Sequence, residues 1–74
     1  MTIILSGTYA EAIQYARAHE LGHTEWLWPQ CREQLMGLKR GLPYVVIGSF
    51  GYRMDAHRIM EECEYRQFVP VVSS

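Results

Sequence analysis

The stretch Leu42-Pro-Tyr-Val-Val-Ile-Gly-Ser-Phe-Gly-Tyr-Arg-Met-Asp-Ala-His57 constrains this chain more than any other. It passes from a solid apolar strand through a glycine-punctuated turn into an amphipathic helix, which is half of a β-α-β unit. It sets Ser49, Gly51, Arg53 and Asp55 at the carboxyl end of a strand. Open α/β folds keep their ligands at that end, at the point where the strand order reverses.

The rest of the chain repeats the alternation. Thr2-Ile-Ile-Leu-Ser6 is short, apolar and β-branched without alternation, and reads as a strand covered on both faces. Thr8 with Glu11 three residues on has the spacing of a capping box. The helix it opens carries Tyr9, Ala12, Ile13 and Ala16 on one face, and Gly22 fits its C′ position. Thr24 to Trp28 alternates and reads as a diluted edge strand, with Trp26 and Trp28 on one face. Pro29 follows, and Cys31, Leu35 and Leu38 recur at helical spacing, predicting a short second helix that Gly37 weakens by about 1 kcal/mol. A third helix is predicted from near Met54, with Ala56, Ile59, Met60 and Cys63 as its apolar stripe. Phe68 to Val72 is a last strand, and Pro70 assigns it to an edge.

The predicted order is therefore β-α-β-α-β-α-β in one domain spanning 1–74. This predicts an α/β fold with a small open parallel four-stranded sheet and right-handed crossovers. Placing the two most apolar strands centrally gives the strand order 2-1-3-4. With 74 residues, of which 49% are hydrophobic, the chain has a small core to build, and nine aromatic residues supply its bulk.

In that topology the loops after the first and third strands diverge and leave a crevice. Gly7 and Thr8 form one wall; Ser49, Gly51 and Arg53 form the other. Free amides at two helix starts, with a guanidinium beside them, suit a small anion such as a phosphate or a nucleotide. The same residues have a purely structural reading. Glycines are needed in strand-to-helix turns, Thr8 is a cap, and Asp55 answers a helix dipole. Neither the Walker pattern nor G-x-G-x-x-G occurs. No cofactor is expected.

Nothing else marks a reaction. Cys31 and Cys63 match no metal or redox spacing and are expected to be buried thiols. His57 and Glu61 are four apart and suggest a surface pair, and His19 with His23 lacks a third metal ligand. G-x-S-x-G is absent. The expectation is a chain without catalytic residues or a metal site. Trp26 and Trp28 at an edge strand suggest an interface, with a second copy or with another protein, unless helices cover both rings. A net charge of −1 argues against nucleic acid, although Arg32, Lys39 and Arg40 share one segment, the last two expected at a helix end. No signal peptide or membrane span is recognisable, so a cytoplasmic, membrane-free protein is expected.

At Leu5-Ser-Gly-Thr-Tyr-Ala-Glu-Ala12 and Val46-Ile-Gly-Ser-Phe-Gly-Tyr-Arg-Met-Asp-Ala56 the chain resembles short proteins of unassigned activity encoded by actinobacterial phages. They carry a similar G-T-x-A-E-A turn and a G-[ST]-F-x-x-R-x-D-A turn. The resemblance implies a Rossmann-like mini-domain acting early or as an accessory in infection, in the host cytoplasm; the predicted strand order by itself makes the fold a Rossmann/flavodoxin-like miniature. The resemblance implies no activity. The double Trp and the proline-containing last strand are not part of it.

Overall fold

Strand alternation decides how this sheet is covered. In the computed structural model, which describes residues 1–71, β1 (Thr2–Leu5) is the most deeply buried strand. Ile3, Ile4 and Leu5 are all fully buried. Successive side chains of a strand point to opposite faces. Ile3 and Leu5 accordingly join one apolar cluster with Leu35, Tyr44, Phe50, Ile59, Cys63 and Phe68. Ile4 joins a second cluster with Ala12, Ala16 and Val45. A strand buried on both faces has no place for polar residues, which is why Ile3-Ile-Leu5 carries none and Thr2, at the start of the strand, is only half-buried.

The sheet is all-parallel in the order β2-β1-β3-β4, as the distribution of apolar residues predicts. Its other strands are β2 (Trp26–Leu27), β3 (Pro43–Val46) and β4 (Val69–Pro70). Ile3, Ile4 and Leu5 pair with Tyr44, Val45 and Val46, so β1 and β3 run side by side at the centre. Pro70 lies in the edge strand β4, where Val69 and Val71 give their N–H groups to the carbonyls of Leu42 and Tyr44. The alternate position has no N–H to offer outward, which blunts that edge. Val72, expected to end this strand, lies outside the described residues.

Helix α1 (Tyr9–Ala18) covers the Ile4 face and α2 (Ala56–Tyr65) the Ile3–Leu5 face. The capping box at Thr8 is present, with Thr8 and Glu11 satisfying each other's backbone amides. Both helices end in the same way. Leu21 N–H reaches Ala16 O and Phe68 N–H reaches Cys63 O, with Glu20 (φ 55°) and Gln67 (φ 58°) in the left-handed region. These are Schellman ends with a non-glycine residue at C′. The C′ position of α1 is thus Glu20, and Gly22 lies beyond it.

The middle crossover departs from the expected pattern. In place of a second α-helix, Arg32–Leu35 forms one turn of 3₁₀ helix, and the chain becomes extended at Met36 (φ −71°, ψ 135°). The weak helix propensity of Gly37 wins over the apolar spacing of Cys31, Leu35 and Leu38. Leu35 alone is fully buried, Leu38 packs beside the cluster, and Cys31 is exposed rather than buried. Lys39 and Arg40 are exposed and end no α-helix. The third predicted helix also starts later, at Ala56, after a short 3₁₀ turn over Phe50–Tyr52. Among the described residues, no helix is long and apolar enough to cross a membrane.

Candidate functional site

The loops after β1 and β3 meet at the carboxyl end of the sheet, and a carboxylate from the chain itself stands between them. Glu11, in the first turn of α1, reaches across to the turn after β3. Its Oε2 accepts from Ser49 N–H at 3.0 Å, and its Oε1 accepts from Ser49 Oγ at 2.9 Å. The same Oε1 accepts from Thr8 N–H at 3.1 Å and Thr8 Oγ1 at 3.3 Å. Four donors, all electrically neutral, therefore converge on one carboxylate. They hold it below its ordinary value of 4.5, chiefly through the Ser49 hydroxyl, against the opposing effect of desolvation.

The backbone is shaped to this contact. Gly48 has φ 58°, and a Cβ there would collide with the Glu11 carboxylate. A Cβ on Gly7 would collide with the Ser49 side chain and lie 2.8 Å from the Ser49 carbonyl oxygen. The two loops are close enough for Glu11 to bridge them only because both positions are glycine.

Arg53 forms the other side of the arrangement. It sits just past the Phe50–Tyr52 turn in extended backbone, and its side chain is only 11% exposed. Its Nε and Nη2 donate to the two carboxylate oxygens of Asp55 at 2.9 and 3.0 Å. Nη1 donates to Ser6 O at 3.2 Å and Pro29 O at 3.1 Å, and Nη2 also donates to Gln30 O at 2.7 Å. Trp28 Nε1–H donates to the same Ser6 carbonyl at 3.1 Å, and the guanidinium carbon lies 5.4 Å from the Trp28 ring centre. Arg53 thus ties together the end of β1, the chain after β2 and the start of α2. All five guanidinium N–H groups are matched by these contacts. Asp55, at the N-cap of α2, makes no side-chain cap bond, since its carboxylate is turned to Arg53.

The structure therefore brings Gly7, Thr8 and Ser49 together around Glu11. Gly51 stands apart, with open space where a Cβ would be, and Arg53 faces backbone carbonyls and Asp55. Sequence reasoning assigned Glu11 only its local role in the capping box. The missing signal was topological: a first-turn side chain at the strand-order reversal faces the opposite loop as well as its own helix.

Trp26 and Trp28 are half-buried against the Ile4 cluster. Tyr9, 52% exposed, packs over both, with ring centres at 5.9 and 5.5 Å. The largest exposed apolar side chains lie elsewhere. Tyr52 is 91% exposed and Met54 fully so, on either side of the pinned Arg53. A depression of about 390 Å³, lined by Met1, Gly37, Leu38, Lys39 and Leu42, opens at the opposite, amino end of the sheet and touches none of these residues. His57 and Glu61 do pair, at 2.7 Å, with side chains 85% and 61% exposed. Cys63 is buried, and desolvation pushes its thiol up to about 11. Among the described residues, no cluster of three His, Cys, Asp or Glu side chains could hold a metal ion.

Together these features define a doubly covered, open parallel α/β domain whose strand-end crevice is spanned by its own side chains. No family model, curated protein or solved structure matches the chain.

Proposed function

We propose that this domain is a non-enzymatic interaction module that binds another protein through the carboxyl end of its sheet. The observation that carries this reading is the full exposure of Tyr52 and Met54 on a turn held firmly from beneath by Arg53. Large apolar side chains on a pre-ordered turn bind at low entropic cost, and Tyr is prominent among interface hot spots. The polar groups best placed for chemistry nearby, Glu11 and Arg53, spend their hydrogen bonds within the chain. The resemblance to phage proteins makes a host protein the partner class we infer. Trp26 and Trp28, partly covered by Tyr9, form a second and smaller candidate contact. The test is site-specific photo-crosslinking in actinobacterial host cells, from position 52, from 54 and from the remote exposed residue Tyr65. Adducts of one defined mass from 52 and 54, absent from 65, support the module. Their absence from both positions refutes it, and an adduct of twice the chain mass would assign the face to self-association.

A second reading is favoured by the carboxylate already held in the crevice. The donors of Thr8 and Ser49 recognise an anion, so a phosphate group could exchange with Glu11. Inorganic phosphate and nucleotides would then raise the melting temperature. A ligand at a hundred times its Kd adds about 2.7 kcal/mol. The shift should grow in Glu11→Ala, where no internal carboxylate competes. No shift in either protein removes this reading.

A further inference from the structure

We propose that Glu11 is a charge-dependent latch that holds the Gly48–Tyr52 turn closed as one unit against the start of α1. The inference stands on geometry and does not depend on what the domain binds. Ser49 is the second residue of the turn, and both its amide and its hydroxyl end on the Glu11 carboxylate, 38 residues away in sequence. One of the bonds that follow ends on the same residue, and the other two continue along the turn beside it. Tyr52 N–H donates to Ser49 O at 3.0 Å, Phe50 N–H to Ile47 O at 3.4 Å, and Arg53 N–H to Phe50 O at 3.0 Å. Releasing Ser49 therefore frees the start of a chain of short-range bonds rather than a single contact. At its other end the turn is secured independently by the Arg53 guanidinium. The segment between the two anchors carries Phe50, which plugs the Ile3–Leu5 cluster, and Tyr52, which is presented to solvent.

The charge is essential because of what faces it. From its own helix start come Thr8 N–H and Thr8 Oγ1; from the opposite turn come Ser49 N–H and Ser49 Oγ. None of these groups titrates in the accessible range, and the Glu11 carboxyl is lowered by its hydrogen bonds to Ser49 and Thr8. Both carboxylate oxygens must accept. A neutral acid or an amide has one strong acceptor and must turn a donor toward Ser49 or Thr8. Glu11→Gln is consequently not a conservative change, although it preserves size. The latch is closed at neutral pH and opens in acid, as the carboxylate is lost.

Amide hydrogen exchange at neutral pH tests this on the intact chain, comparing the native protein with Glu11→Gln and Ser49→Ala. In Glu11→Gln, protection at Ser49, Phe50 and Tyr52 should fall together by about tenfold more than at Val45, in line with a sub-global opening. In Ser49→Ala, which keeps the amide contact and removes one donor, the same three sites should respond in the same order but less. The amide resonances of Ser49 and Thr8 in the native protein should also move together as pH falls, with one midpoint below 4.5. Loss of protection at Ser49 alone would reduce the contact to a single hydrogen bond, and equal loss at Ser49 and Val45 would make it merely global. Either result, or a Ser49 amide that does not titrate, overturns the latch.

Discussion

Glu11 and Arg53 are two charged side chains that secure the same end of the same sheet, and they are satisfied in opposite ways. Arg53 is nearly buried, gives its donors to three backbone carbonyls, and has its charge balanced by Asp55. Glu11 is half-buried, receives its bonds from neutral dipoles, and has no cation against it among the described residues. A compensated charge can be placed deep within the fold. An uncompensated one must keep some access to water, because desolvation of an unpaired charge is costly. The first arrangement suits a permanent clasp, and the second suits a contact that can be released.

The largest expected effect follows from breaking the clasp. Arg53→Ala strands the carbonyls of Ser6, Pro29 and Gln30 and leaves Asp55 without its partner. Removing one side of a largely buried charged network costs about 3–5 kcal/mol. Arg53→Lys keeps the charge but loses the fork that spans Asp55 and the carbonyls together, and should cost about 1.5–3 kcal/mol. Urea unfolding measures both. A loss below 1 kcal/mol in the Ala variant would mean that Trp28 and Phe50 hold these segments without it.

These clasps were legible in the sequence to different degrees. The central position of β1 and β3 was plain, because a strand covered on both faces must be apolar throughout, and Ile3-Ile-Leu5 and Tyr44-Val45 are. The edge placement of β4 followed from Pro70, which can give no N–H to a ladder. The middle crossover was not legible. Cys31, Leu35 and Leu38 have helical spacing, but Gly37 interrupts the segment and only Leu35 needs to reach the core. The crevice was expected where the two loops diverge; instead the loops meet there around Glu11. Its occupant was not foreseen, because a capping box explains Glu11 locally and leaves nothing to suggest a second partner 38 residues on. Arg53 was read as free to meet a ligand; its carbonyl partners come from segments whose positions are fixed only by the tertiary fold.

The next effect in size probes the room left for Glu11. Gly48→Ala meets two penalties: a left-handed backbone that costs a non-glycine residue about 1–2 kcal/mol, and a methyl group in the space of the carboxylate. The two separate in a double-mutant cycle. In a Glu11→Ala background the steric part should vanish and the conformational part remain, so Gly48→Ala should cost measurably less there. Equal costs in both backgrounds would show that Glu11 does not occupy that space in solution.

A smaller effect is expected from acid. Glu11 is held below its ordinary 4.5 in the folded chain, so the unfolded chain binds the proton more readily. Its contribution is fully present above pH 4.5 and is lost as pH falls through the folded value. Melting temperatures of the native protein and Glu11→Gln should differ at pH 7 and converge in acid. A constant gap from pH 7 to pH 3 would place the stabilisation in side-chain packing rather than in the charge.

The smallest effect completes the comparison. His57 and Glu61 approach to 2.7 Å, closer than either carboxylate contact of Arg53, yet both side chains stand mostly in water. Water already solvates each group, and fixing two mobile side chains costs entropy that the contact must first offset. Glu61→Ala should therefore shift stability by less than about 0.5 kcal/mol at pH 7. If distance governed these contacts, Glu61→Ala would rival Arg53→Ala. A loss above 1 kcal/mol would mean that burial and compensation are not what separate the clasp from the surface pair. The same result would remove the physical ground for ranking Arg53 above Glu11.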